Sequence, residues 1–166
     1  MKLADFGHSI EPDEPEIPGK VFGTPSYQAL DVTNPEGYEM APLDVFSCGV
    51  VLIALLTGCE PFFRYSANDL YDDIKEQRYV LFWKRLERLS NGASTDLSPE
   101  AKDLFLGMVS FNPTERLTIE KVLDHEWLKD ESKSATLDEV KAQIKRRIVQ
   151  IAKKRDEMSI EQQMDI

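Results

Sequence analysis

Residues 43–58 read LDVFSCGVVLIALLTG, and this stretch predicts the helix around which the rest of the chain packs. Asp44 is predicted to begin the helix, because a carboxylate accepts hydrogen bonds from the free amides of a first turn and suits its partial positive charge. Gly58 is a natural stop. Apolar side chains occur on every side, which predicts a helix that is buried all round. The apolar run is shorter than the roughly 20 residues of a membrane span, so we expect a core helix and no membrane segment.

Downstream of Gly58 the sequence predicts further helices separated by polar loops. Two of them lie near residues 69–77 and 82–89, where apolar residues recur at helical spacing. Ser98 and Pro99 begin a third helix, as an N-cap followed by a proline whose missing amide is not needed in a first turn. Thr118 is predicted to cap a fourth, and the fold class is therefore mainly α. The apolar face of the third helix is predicted to consist of Ala101, Leu104, Phe105 and Met108.

The composition bears on the functional class and on the role of the two cysteines. The chain has 166 residues, a formal net charge of -10 and a pI near 4.7, which disfavours nucleic-acid binding because that usually needs a basic face. The acidic balance fits either a basic peptide partner or simple solubility. Cys48 and Cys59 lack the spacing of a metal site and are predicted to be ordinary buried or half-buried thiols in a reducing compartment. Because no signal peptide is recognisable, we expect an intracellular protein.

The first 31 residues are characterised by short motifs and not by a periodic spacing of apolar residues. Residues 1–4 predict the tail of a short strand, and residues 5–7 read Asp-Phe-Gly. Residues 8–20 are predicted to be an acidic loop, because their prolines block a helix. Residues 23–27 then read Gly-Thr-Pro-Ser-Tyr, and residues 29–31 read Ala-Leu-Asp.

These motifs, in this order, resemble the protein kinase family. Residues 5–7 and 23–31 resemble the two ends of its activation segment, with Ala-Leu-Asp in place of the usual Ala-Pro-Glu. Residues 43–50 resemble the start of the central helix of the kinase C-terminal lobe, and residues 112–118 with 125–127 resemble its final helices. The pattern is most similar to serine/threonine kinases of the calcium/calmodulin-dependent group.

The resemblance also implies a domain organisation. Residues 1–128 would be a partial protein kinase domain, with the activation segment at 1–31 and the helices of the C-terminal lobe at 32–128. Residues 129–166 would be a linker and a basic amphipathic helical tail. The tail could be a calmodulin target at 136–160, or a helix that packs on the lobe or lies in solvent.

The resemblance assigns roles to several residues near the N-terminus. Asp5 matches the carboxylate that holds Mg²⁺ on ATP, Phe6 matches the residue whose packing sets the active or inactive state, and Gly7 supplies the flexible turn. Thr24 matches a hydroxyl that contacts the catalytic loop. The implied platform for a protein or peptide substrate is formed by Gly23, Thr24, Pro25 and Tyr27.

Three further residues match structural positions of the family. Asp31 and Arg116 match a buried glutamate–arginine pair, and we predict that they still pair although Asp31 is one methylene shorter. Breaking such a pair typically costs about 3–5 kcal/mol. Asp44 resembles a buried carboxylate that binds amides of the catalytic loop, although a plain helix cap is chemically similar. Val51 and Leu55 match either the support of the adenine-packing spine or ordinary core.

Several kinase motifs do not occur in these 166 residues. The Gly-rich loop, the Val-Ala-Ile-Lys lysine and the His-Arg-Asp catalytic loop with its asparagine are all missing. We therefore expect ATP and Mg²⁺ to be cofactors of an intact kinase and expect the 166 residues alone to be inactive, with no tightly bound cofactor. The alternative is a non-catalytic kinase remnant that acts as a binding or scaffold module.

Overall fold

The computed structural model describes residues 3–9, 23–29, 39–62, 69–90 and 97–129, together with residues 142 and 145. The chain divides into two compact units, residues 1–129 and 130–166, and every element with described bounds lies in the first. Within the described ranges there is no β-strand, so the mainly α fold class is confirmed. Leu3 and Ala4 are irregular, so the strand predicted there is wrong for these two residues.

Six α-helices and two short 3₁₀ turns make up the described part of the first unit. The 3₁₀ turns span Phe6–His8 and Pro25–Tyr27. The helices are α1 (Met40–Thr57), α2 (Asp69–Lys75), α3 (Tyr79–Leu89), α4 (Pro99–Met108), α5 (Ile119–Leu123) and α6 (Glu126–Lys129).

The central helix α1 begins four residues before Asp44, so the predicted start was wrong. The residue before the helix, Glu39, is extended and makes no side-chain cap. Met40 and Ala41 enter the helix readily, and Pro42 lies in the first turn, where no amide donor is needed. Gly58 ends the helix as predicted, with a left-handed φ of 70° and its amide donating to the Ala54 carbonyl over 2.8 Å.

One side of α1 packs against α4 at very close range. A Cβ atom on Gly49 would lie 2.9 Å from Met108 Cβ and 2.9 Å from Val109 Cγ1, so only glycine fits without a shift. Phe46 extends the contact by stacking on Phe62, with ring centroids 5.8 Å apart. The main core cluster contains Ala29, Phe46, Val50, Ile53, Phe62, Leu70, Ile74, Phe82, Leu86, Phe105 and Val109.

The opposite side of α1 is not covered by any described residue. Val51 is 39% exposed and Leu55 is 61% exposed, so the described residues do not bury the helix all round. Cys48 is also exposed, whereas Cys59 is partly buried as predicted. By length and composition α1 could pass as a membrane span, with a mean hydropathy of 2.0. Its contact with α4 and with the aromatic core instead makes it a core helix.

The predicted caps of the later helices are confirmed. The Ser98 hydroxyl accepts a hydrogen bond from the Ala101 amide over 3.2 Å. The Thr118 hydroxyl accepts one from the Lys121 amide over 3.4 Å. The predicted apolar face of α4 is buried at all four positions, Ala101, Leu104, Phe105 and Met108.

A buried carboxylate joins α2 to α3. Asp73 is fully buried and accepts hydrogen bonds from Arg78 Nε over 2.9 Å and from an Arg85 terminal nitrogen over 2.7 Å. The Asp73 carbonyl also accepts from the Arg78 amide over 2.7 Å. Gln77 adopts a left-handed φ of 55° between the helices. The two arginines remain partly exposed, so they keep hydration while neutralising Asp73.

Replacing Gly49 with valine should destabilise the chain because the new side chain would overlap Met108 and Val109. We expect Gly49→Val to lower the free energy of unfolding by about 2–3 kcal/mol, as overpacking does. The measurement is chemical denaturation followed by circular dichroism. Cys48→Ala, at the exposed neighbouring position, is the matched control and should change stability little. Equal stability of Gly49→Val and the parent chain would contradict the close contact of α1 and α4.

Replacing Val51 and Leu55 with glutamine should reduce self-association without loss of the fold. Both side chains are exposed, so the double change should alter stability by only about 0.5 kcal/mol while removing apolar surface. Light scattering and thermal melting measure the two effects. Ile53→Gln, on the buried side of the same helix, should abolish the melt. Unfolding of the double variant would show that these residues are buried within the chain.

Replacing Asp73 with asparagine should loosen α2 from α3. The change leaves two arginines without their shared carboxylate, and we expect a loss of about 3 kcal/mol in stability. Asp72→Asn, at the exposed neighbouring position, should be close to neutral. Denaturant midpoints would test the difference, and equal midpoints for the two variants would exclude a stabilising role for the buried carboxylate.

Candidate functional site

The Asp-Phe-Gly motif forms a tight turn. Asp5 has a left-handed backbone, with φ 64° and ψ 70°, a conformation in which aspartate is enriched among residues other than glycine. Phe6–His8 forms the 3₁₀ turn, and the Ser9 hydroxyl donates to the Phe6 carbonyl over 2.7 Å. Phe6 is 68% exposed, so its ring has no core position among the described residues.

The Asp5 carboxylate is exposed and lies close to Gly7. Asp5 Oδ1 lies 3.5 Å from the position that a Cβ atom on Gly7 would take. Within the described ranges, no group of three or more His, Cys, Asp or Glu side chains is arranged to hold a metal ion. Mg²⁺ is commonly held by one or two carboxylates together with substrate phosphates. Asp5 therefore fits the role of one Mg²⁺ ligand and does not form a metal site by itself.

Residues 23–29 form a compact segment, which we call the platform. Gly23 has a φ of 93°, which favours glycine at this position. Gln28 Nε2 donates to the Gly23 carbonyl over 3.0 Å, and the Tyr27 amide donates to the Thr24 carbonyl over 3.0 Å. These local bonds close the segment on itself. Gly23, Thr24 and Pro25 are exposed.

The platform is attached to α1 by burial and by a hydrogen bond. Ser26 and Ala29 are buried, and Ala29 belongs to the main core cluster. The Ser47 hydroxyl on α1 donates to the Tyr27 carbonyl over 2.8 Å and also approaches the Leu43 carbonyl at 3.1 Å. The platform therefore holds a fixed position relative to the core helix.

A side-chain bond connects the platform to the loop after α1. The Tyr27 hydroxyl donates to Glu60 Oε1 over 2.8 Å. This hydrogen bond, followed by desolvation and the negative charge of Glu60, raises the pKa of the Tyr27 hydroxyl above its usual value. Sequence reasoning did not identify Glu60, because the two residues are 33 positions apart and no motif contains both.

Asp44 and Arg116 match structural positions of the family, and the structure describes the surroundings of both. Asp44 is exposed on the side of α1 that no described residue covers, so its predicted binding to catalytic-loop amides stays a prediction. Arg116 is 4% exposed and donates to the Ser110 carbonyl over 3.0 Å and the Pro42 carbonyl over 2.9 Å. Its guanidinium also lies over the Phe46 ring, 5.3 Å from the centroid.

Two predictions fall mostly outside the described residues. Asp31 is not among them, so its pairing with Arg116 stays a prediction. The region 136–160 is described only at Ala142 and Lys145, which are helical and exposed. The calmodulin hypothesis therefore stays a prediction as well.

A comparison with known families identifies the fold. The family model for the protein kinase domain matches residues 1–128, which are 128 of the 166 residues of the chain. The match includes the Asp5 turn, the platform and helices α1 to α5, and it reaches into α6. The chain therefore belongs to the protein kinase domain family.

Proposed function

We propose that this chain is the substrate-binding portion of a serine/threonine kinase, which transfers the γ-phosphate of ATP to protein substrates. The observation that carries the proposal is the attachment of the platform to α1 through the Ser47–Tyr27 bond and the burial of Ser26 and Ala29. Phosphoryl transfer depends on positioning and electrostatic stabilisation more than on covalent chemistry by the protein. A substrate-facing segment fixed to a core helix supplies the positioning.

In this proposal the platform presents exposed backbone and side chains to an extended peptide. Gly23, Thr24 and Pro25 are accessible, whereas Ser26 and Ala29 serve as anchors beneath them. Because the anchors are buried, a bound peptide does not have to order this segment at the moment of binding. Preorganisation of this kind lowers the entropic cost of association.

Asp5 would contribute one carboxylate to Mg²⁺ bound with ATP. The metal, when present, neutralises charge on the β- and γ-phosphates. The exposed position of the carboxylate above Gly7 supports this assignment. Phe6 and Gly7 would shape the turn that presents it.

The 166 residues would not transfer phosphate by themselves. They contain no His-Arg-Asp loop, no Gly-rich loop and no Val-Ala-Ile-Lys lysine, so the catalytic base and most phosphate contacts are missing. A second candidate function is a non-catalytic binding module. It is favoured by the contrast between an anchored platform and an Asp5 carboxylate that belongs to no group of three or more possible metal ligands among the described residues.

Phosphotransfer assays would test the proposal. We expect the chain with Mg²⁺-ATP and a mixed serine/threonine peptide library to give no transfer above the protein-free blank. A longer in-frame product that carries the His-Arg-Asp and Gly-rich loops should transfer phosphate. In that product, Asp5→Asn should lower the rate by about 100-fold or more, since a metal supplies several kcal/mol of charge stabilisation. Asp72→Asn, at an exposed position on α2, is the control and should keep the rate.

The outcomes separate the two candidate functions. Transfer by the 166 residues alone would contradict the predicted inactivity. Upstream sequence without kinase motifs, together with retained peptide binding, would favour the binding module. Full activity of Asp5→Asn in the longer product would exclude the assigned role of Asp5.

A further inference from the structure

A cavity of about 390 Å³ lies between the start of α1 and the start of α5, and we call it the α1–α5 pocket. Its apolar lining includes Pro42 and Val45 from α1 and Leu117, which precedes α5. Val45 is buried, and Pro42 and Leu117 are partly buried. Cavities that bind ligands have volumes of about 300–1,000 Å³ and a mostly apolar lining. The α1–α5 pocket is therefore large enough to accept an apolar side chain.

Ile119 extends the apolar lining of the pocket to the protein surface. It is the first residue of α5, and its side chain is 51% exposed. Leu123, one turn later on α5, is 65% exposed but does not line the pocket. A ligand that covers Ile119 removes apolar surface from water, which is the main favourable term in most protein association.

Two carboxylates give the exposed part of the lining a negative charge. Glu39 and Glu120 both line the pocket, and both are exposed. In the described part of the chain, no lysine, arginine or histidine nitrogen forms an ion pair with either of them. The Glu120 carboxylate accepts hydrogen bonds from its own amide and from the Thr118 hydroxyl, which lower its pKa, so it is ionised at neutral pH.

The lining also contains one buried cation, Arg116. Its side chain is 4% exposed, and it donates to the Ser110 and Pro42 carbonyl oxygens over 3.0 and 2.9 Å. Because these bonds direct the guanidinium into the protein, a ligand that arrives from solvent meets Glu39 and Glu120 first. The formal net charge of -10 adds to the attraction for a cation. The charges of the pocket therefore favour a basic ligand over an acidic one.

We propose that the α1–α5 pocket binds a basic amphipathic segment of a partner protein. An apolar side chain of that segment enters the pocket beside Ile119, and a neighbouring lysine or arginine lies near Glu39 or Glu120. The inference goes beyond the proposed function, because no residue of the platform lines the pocket. One apolar anchor and exposed ion pairs support a weak, transient complex.

Fluorescence anisotropy with the 166-residue chain would test the pocket, with Val51→Gln and Leu55→Gln present to limit self-association. The probe is a fluorescein-labelled alanine-based peptide with a central leucine and a lysine on each side of it. Replacing the leucine with serine should weaken binding about three- to tenfold, because the apolar contact is lost. Replacing both lysines with glutamine should weaken it about two- to fivefold, the range of exposed ion pairs.

Variants of the chain locate the bound peptide. Ile119→Gln should weaken binding about three- to tenfold, whereas Leu123→Gln, at the exposed position outside the pocket, should leave it unchanged. Glu39→Gln should reduce the preference for the lysine peptide, whereas Glu87→Gln, which removes an exposed carboxylate on α3, should not. Ala41→Trp, at an exposed position that lines the pocket, should block it and remove measurable binding.

The opposite outcomes would overturn the inference and leave the proposed function intact, since the platform takes no part in it. Binding that is unchanged in Ala41→Trp would place the peptide elsewhere on the chain. Equal effects of Ile119→Gln and Leu123→Gln, or of Glu39→Gln and Glu87→Gln, would show general attraction without a pocket. Failure of the folded chain to bind the peptide would overturn the inference as well. Reduced self-association of Ile119→Gln in that case would identify a second copy of the chain as the occupant.

Discussion

The close approach of α1 and α4 at Gly49 is the contact on which the rest of this structure depends. A Cβ atom on Gly49 would lie only 2.9 Å from both Met108 and Val109, so the two helices pack with almost no spacer. This contact brings Phe46, Val50 and Ile53 onto the aromatic core. Ser47, two residues before Gly49, then holds the Tyr27 carbonyl. The position of the platform is therefore a consequence of helix packing as much as of its own sequence.

The features that could be predicted from sequence are those governed by local chemistry. The caps at Ser98 and Thr118 depend on a hydroxyl and amides only three residues away, and the stop at Gly58 depends on one left-handed residue. The start of α1 was predicted wrongly because Asp44 is a strong N-cap residue, which favours a start at that position. Pro42 is nevertheless tolerated in a first turn, so the helix can begin earlier. The Asp73 and Glu60 contacts depend on tertiary proximity, which no local pattern records.

The exposed side of α1 shows how far a hydrophobic pattern can be interpreted. Asp44, Cys48, Val51 and Leu55 recur at intervals of four, three and four residues, so they share one stripe of the helix. The all-round apolar pattern predicted a covered helix, whereas no described residue covers this stripe. Hydrophobicity indicates that a surface is suited to burial. Only the tertiary contacts show whether anything buries it, and here they also explain the exposure of Asp44.

Substrate recognition and phosphate chemistry place different demands on this chain. Recognition needs a rigid surface with a few placed charges, and the platform has buried anchors, a hydrogen bond to α1 and a carboxylate oriented by Tyr27. Phosphoryl transfer needs several groups around the same phosphates. One carboxylate cannot neutralise the phosphate charge, orient the substrate and accept its proton at the same time. Asp5 is one such group, on an exposed turn, and it belongs to no group of three or more possible metal ligands among the described residues. In the proposed function, the platform therefore carries the recognition of a peptide, and Asp5 carries one part of the phosphate chemistry.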